Sequence, residues 1–192
     1  MSASERNRRP ARRFSALLCL IAAALAMPLA GAAHAQAPSP PAGGLGSVGD
    51  YVVGFVQYVR WPAEDDIKSW QVCIATPLAD KADAYAGRTA RGKPFEVRAV
   101  GTRDAIADCH VLDLSDASPA DVKALLERAR PLAILTVGEG ERFCSAGGVA
   151  CLRRRDGGGF EINLSAAQQA RLNVNAQLLM LGRKRQLAGG GS

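Results

Sequence analysis

Cysteine has the widest chemical reach of any residue in this 192-residue chain, and it occurs five times. Cys144 and Cys151 flank Gly147-Gly148, just before a strand-like run. Cys73 and Cys109 open two apolar runs upstream, and Cys19 falls in an apolar leader. Thiol oxidoreductases use a C-x-x-C pair, a spacing that Cys144 and Cys151 lack. Zinc on Cys73, Cys109, Cys144 and Cys151 is conceivable, but their spacings match no closed zinc site. A Cys–His nucleophile pair would need His110 beside Cys109 in space, and adjacent strand residues point to opposite faces. For four cysteines in an exported chain, two disulfides are the first hypothesis. Cys73 and Cys109 begin two strands that could lie side by side, while Cys144 and Cys151 bracket a tight turn. In the chain-entropy account, closing these loops stabilises by about 3.8 and about 2.5 kcal/mol.

Other reactive sets are absent from the sequence. It contains no H-E-x-x-H, no G-x-S-x-G and no P-loop. Gly44-Leu45-Gly46-Ser47-Val48-Gly49 matches G-x-G-x-x-G on paper, but a dinucleotide loop must follow a strand, and here a Pro-rich stretch precedes it. Without an assembled nucleophile, base or metal set, the expectation is a non-enzyme that needs no cofactor. Asp113 and Asp116, near a strand end, could bind a small ligand there. Arg153 to Arg155 read as a solvated turn.

The N-terminus indicates the compartment. Arg6, Arg8, Arg9, Arg12 and Arg13 precede an apolar run from Phe14 to Ala26, and Ala33-His34-Ala35 is a small-x-small cleavage signature. That pattern predicts a secretory signal peptide over 1–35, so an exported mature chain is expected. The formal net charge of +6 rests largely on those arginines. Without residues 1–35 the chain has 19 basic and 17 acidic residues, a net of +2, so nucleic acid is not an expected partner. No later apolar run has spanning length, so no membrane insertion of the mature chain is expected.

The elements that must position the cysteines follow. Residues 36–47 form a flexible linker, 48–187 one domain, and 188–192 a loose tail. Apolar residues at 48, 51, 52, 55, 56 and 59 predict an amphipathic helix that packs on a sheet and stops at Trp61-Pro62. Strands are expected at 71–75, 95–99, 109–114, 131–137, 148–152 and 160–164. Helices are expected at 78–86, in a short link at 103–108, and from the Ser118 cap with Pro119 at its first position. A polar segment at 139–145 is a short helix or loop. Ser165 with Gln168 predicts a capped helix to Leu172, followed by a last helix over 176–187. Alternating strands and helices imply a single three-layer α/β domain: a mostly parallel sheet of five to six strands, helices on both faces, and two disulfides.

The ordered set of segments resembles the YfiR/HmsC-like family. It comprises the aromatic first helix closing on Trp61-Pro62, Val72-Cys73-Ile74, Gly87-Arg88 with Arg91-Gly92-Lys93-Pro94-Phe95-Glu96-Val97-Arg98, and Asp108-Cys109-His110-Val111-Leu112. It continues with the Cys144 to Cys151 stretch and with Phe160-Glu161-Ile162-Asn163-Leu164-Ser165-Ala166-Ala167 before a Leu-rich helix. The chain departs from the pattern at Ala90 and Ala150, where larger apolar residues are usual, and at Arg171, where glycine is customary.

The resemblance implies a periplasmic repressor of a membrane-bound diguanylate cyclase. Such a protein binds the cyclase's periplasmic sensor domain and holds cyclic-di-GMP synthesis down. It also implies two disulfides, the second matching Cys144–Cys151 and maintaining the fold, with release by reduction, envelope stress or an outer-membrane lipoprotein. Homodimers are common in the family. The docking face is expected at Glu161, Leu172, Val174 and Leu178, as exposed apolar residues beside a strand edge. The alternative is a periplasmic small-ligand-binding protein with its pocket near Thr76, Asp113 and Gly138.

Overall fold

The computed structural model describes residues 46–75, 81–153 and 158–189, with side chains to Gly182. The expected signal peptide, most of the linker, Thr76, residues 154–157 of the charged turn and residues 190–192 of the tail lie outside the described residues.

The first helix, α1 (Val48–Tyr58), starts on a reciprocal cap: Ser47 Oγ accepts from Asp50 N–H, and the Asp50 carboxylate accepts from Ser47 N–H. Val48, Tyr51, Val52, Phe55 and Val56 are buried, so its apolar stripe packs inward as the 3.6-residue period requires. Val59 is extended and leads into β1 (Val59–Arg60). Then follow β2 (Trp70–Ile74), β3 (Thr89–Ala90), β4 (Lys93–Ala99), β5 (Val111–Asp113), α2 (Pro119–Ala129), β6 (Leu135–Glu139), α3 (Glu141–Ser145), β7 (Ala150–Leu152), β8 (Phe160–Ile162), α4 (Leu164–Gln169), β9 (Asn173–Val174) and α5 (Ala176–Gly189).

The main sheet runs in the order β3-β4-β2-β5-β6-β7-β8. The five strands from β4 to β7 are parallel, and the edge strands β3 and β8 are antiparallel to their neighbours. Successive strand side chains face opposite sides. Val72, Ile74, Val111, Leu135, Val137, Ala150 and Leu152 face α1, α4 and α5. Cys73, Leu112 and Cys151 face α2 and α3, against Leu125, Leu126, Ala129 and Phe143. The mixed α/β domain with two covered faces is as expected. Among the described residues, no helix is long and apolar enough to cross a membrane.

The main sheet has seven strands among the described residues, against the five to six expected. The extra one, β3, belongs to a two-residue hairpin in which Ala90 pairs with Lys93. Such a turn needs left-handed backbone at both loop positions. Arg91 (φ 51°) and Gly92 (φ 74°) supply it. Arginine is held there because its guanidinium lies 4.6 Å from the centre of the Trp70 ring and pairs with Glu64 at 2.5 Å. A separate ribbon pairs Val59 with Val174 and Arg60 with Asn173.

Several boundaries also differ. In the expected helix at 78–86, the described residues show only a 3-10 turn at Ala82–Ala84. Residues 103–108 form turns rather than a helical link, because Arg98 and Arg128 donate to the carbonyls of Ala105, Thr102 and Asp104 and hold the segment open. β5 begins at Val111, after Cys109 and His110, and β6 begins at Leu135, after a turn in which Leu132 N–H bonds to Ala129 O. α4 is capped by Asn163, whose Oδ1 accepts from Ala166 N–H, and not by Ser165. α5 continues through Gly189, so the first two residues of the expected tail are helical.

Candidate docking surface

The four cysteines form Cys73–Cys109 and Cys144–Cys151, with Cα–Cα distances of 5.8 and 5.6 Å. Cys73, Cys109 and Cys151 are buried, and Cys144 is half-buried. The short loop is a clamp. Gly147 (φ 98°) takes a backbone shape that other residues rarely adopt. The Phe143 ring sits between two glycines: a Cβ on Gly148 would lie 2.1 Å from its Cε1, and one on Gly138 would lie 2.4 Å from its Cδ2.

His110 is structural. Its Nδ1 accepts from Gln71 N–H at 2.9 Å, and its ring packs edge-on against Trp70. Burial lowers its pKa, with a smaller push down from Lys93 opposed by Asp108. The folded state therefore disfavours the proton, and the unfolded chain binds it from about pH 6.5 downward. The stability that neutral His110 contributes is complete above that pH and falls as pH drops toward the folded-state value. The thermal unfolding midpoint should be lower at pH 5 than at pH 7. His110→Asn, which keeps an acceptor for Gln71 N–H, should flatten that dependence; an unchanged slope would remove His110 as its source.

At the strand ends where a ligand pocket was expected, the described residues pack closely. Asp113 is 1 % exposed and accepts from Ser115 N–H and Oγ–H at 2.9 and 2.7 Å. The Lys81 ammonium lies 3.5 Å from Asp113 and 2.8 Å from Asp116. Phe143 occupies the space beside Gly138, and Thr76 lies outside the described residues. A cavity of about 570 Å³ opens instead at the amino ends of the strands, lined in part by Trp61, Lys68, Gln71, Asp108, His110 and Arg171. Among the described residues, no group of three or more His, Cys, Asp or Glu is placed to hold a metal ion.

At the antiparallel edge away from β3, β8 pairs only with β7 among the described residues, and α5 packs beside it. A groove of about 440 Å³ runs beside it, lined by Phe160, Glu161 and Ile162 from β8, Leu164 from α4, Leu179 and Gly182 from α5, and Arg153. α5 approaches closely because residue 182 is glycine: a Cβ there would lie 3.0 Å from the Phe160 carbonyl oxygen. Arg153 and Glu161 form a half-buried ion pair at 2.6 Å. Leu164 and Met180 are 44 % and 69 % exposed, the large hydrophobic side chains most open to solvent among the described residues.

The four residues expected on the docking face are therefore divided. Glu161 lines the groove. Val174 is half-buried and paired with Val59 in the ribbon. Leu172 and Leu178 are 5 % and 2 % exposed and belong to the core, so their expected exposure is corrected. They sit on the inward face of a chain segment whose outward face is polar. Leu178→Asp would put a carboxylate into that core, and it should unfold the domain with a loss of about 4 kcal/mol or more. A variant with an unchanged denaturant midpoint would contradict this burial. The sequence reading missed Leu164 and Met180, which carry no local signal beyond being apolar.

The family model described as YfiR/HmsC-like matches residues 47–183, from the cap of α1 well into α5. That span takes in every strand of the sheet, both disulfides and the groove beside β8, and on this match the chain belongs to the YfiR/HmsC-like family.

Proposed function

We propose that this protein is a periplasmic repressor that docks, through the groove between β8 and α5, on the periplasmic sensor domain of an inner-membrane diguanylate cyclase. Membership of the family carries the coarser statement, that of a periplasmic regulator in diguanylate cyclase signalling. Two disulfides fit an oxidising compartment and the export signal read over residues 1–35. The observation that carries the docking reading is exposed Leu164 in the groove beside the edge strand β8. Exposed apolar surface of this kind marks interaction sites.

The action is binding, not catalysis. Docking lowers cyclase output only if the repressor binds the inactive state of the cyclase more tightly than the active one. An outer-membrane lipoprotein would relieve repression by competing for the repressor, and a homodimer is compatible with the groove so long as the groove stays free. Exporting the protein in a cell that carries the membrane cyclase should lower cyclic-di-GMP. Unchanged cyclic-di-GMP with folded protein in the periplasm would reject the proposal.

The cavity at the amino ends of the strands favours a second reading, small-ligand binding. Its mixed lining of Trp61, Lys68, Asp108 and Arg171 offers both charge signs beside an aromatic face. A ligand at 100 times its dissociation constant would add about 2.7 kcal/mol to stability, which a thermal-shift screen would detect.

A further inference from the structure

We propose that Asn163 is a positioning residue that locks the disulfide-closed turn to the first turn of α4 and so sets Leu164 at the rim of the groove. The part of this inference that concerns partner binding rests on the docking reading above.

Asn163 stands between β8 and α4, and its one side chain caps two helices. Oδ1 accepts from Ala166 N–H at 3.0 Å, which satisfies an amide at the start of α4. Nδ2 donates to the Cys144 carbonyl at 3.0 Å, an oxygen at the end of α3 that also accepts from Gly147 N–H at 3.0 Å. Its backbone is held as well: its N–H bonds to Val149 O at 2.8 Å, and its carbonyl accepts from Ala167 N–H at 3.0 Å. The partners fix the carboxamide orientation, since a flipped amide would set its NH₂ against Ala166 N–H and its oxygen against Cys144 C=O.

Few side chains can do both jobs. Aspartate accepts but cannot donate, serine is too short to reach the Cys144 carbonyl, and glutamine is one methylene longer. Cys144 is the half-buried end of the short disulfide, and the bond ties it to Cys151 in the middle of β7. The Cys144 carbonyl is thereby fixed relative to the sheet, and Asn163 passes that position to α4. Leu164, the first residue of α4, directly follows Asn163 and lines the groove. Opening the disulfide would free the acceptor to move, and Asn163 would then hold α4 less tightly.

The test is a double-mutant cycle read by amide hydrogen exchange at Ala166 and Ala167. Four purified proteins are compared: the native protein, Cys144→Ser with Cys151→Ser, Asn163→Asp, and the triple variant. Asn163→Asp keeps an acceptor for Ala166 N–H, so α4 retains its cap. Removing the disulfide should speed exchange about tenfold beside the native Asn163 and less than about twofold beside Asn163→Asp. Asn163→Ser, a second variant that keeps a cap but cannot bridge, should behave as Asn163→Asp does. Equal acceleration in all backgrounds, or none in the native one, would overturn the proposal. Affinity for the cyclase's periplasmic domain separates the two ideas. If exchange is coupled while affinity is unchanged in every variant, the docking reading fails and the positioning role stands.

Discussion

Gly148→Ala should cost about 3 kcal/mol of folding stability, at the upper end of what one added methyl does in a packed core. The new Cβ would meet Phe143 Cε1 at 2.1 Å, and the ring has no retreat because Gly138 closes on its other edge. The strain is steric only, since Gly148 is not among the glycines with positive φ. Phe143→Ala in the same chain should therefore absorb much of the loss, so that the double variant is more stable than the sum of the two single effects requires. Urea denaturation of the four proteins measures this. A Gly148→Ala protein within about 0.5 kcal/mol of the native one would show that the ring can move aside.

Loss of the disulfides should be comparably large, and unequal. Replacing Cys73 and Cys109 by alanine removes a cross-link across 36 residues, and replacing Cys144 and Cys151 removes one across seven. Loop entropy gives losses of about 3.8 and about 2.5 kcal/mol, against a typical domain stability of about 5–15 kcal/mol. The order of reduction should be the reverse of the order of size. Cys144 is half-buried, whereas Cys73, Cys109 and Cys151 are all buried, so a dithiol reaches Cys144 without unfolding the domain. Alkylation and mass spectrometry over a dithiothreitol time course should find Cys144 and Cys151 labelled before Cys73 and Cys109. Earlier labelling of the long pair would contradict this account of access.

Periodicity made the layered fold legible. The α1 stripe, the Ser118-Pro119 start of α2 and the apolar runs of the central strands each satisfy a local rule and a global one. Two-residue strands such as β1, β3 and β9 contain no alternation to read, so they were invisible. The Arg91-Gly92 hairpin was hidden because arginine is an unusual occupant of left-handed backbone, and its support comes from Trp70 and Glu64, distant in sequence. The cap of α4 was misplaced by two residues because serine and asparagine are both good caps, and only the Cys144 carbonyl, brought near by the sheet, selects Asn163. Of the residues expected on a docking face, Glu161 lines the groove beside β8, whereas Leu172 and Leu178 are core. Which leucines of 164–181 face outward depends on how α5 crosses β8, and that crossing turns on Gly182 against the Phe160 carbonyl.

The central claim is that the groove beside β8 binds the cyclase. Isothermal calorimetry with the isolated periplasmic domain of the cyclase tests it, using Leu164→Glu against Lys123→Glu, an exposed change on α2 across the sheet. The account predicts that Leu164→Glu keeps the native melting temperature and binds at least about 30-fold more weakly, the loss of an interface hot spot, while Lys123→Glu binds as the native protein does. Native affinity in Leu164→Glu would contradict it.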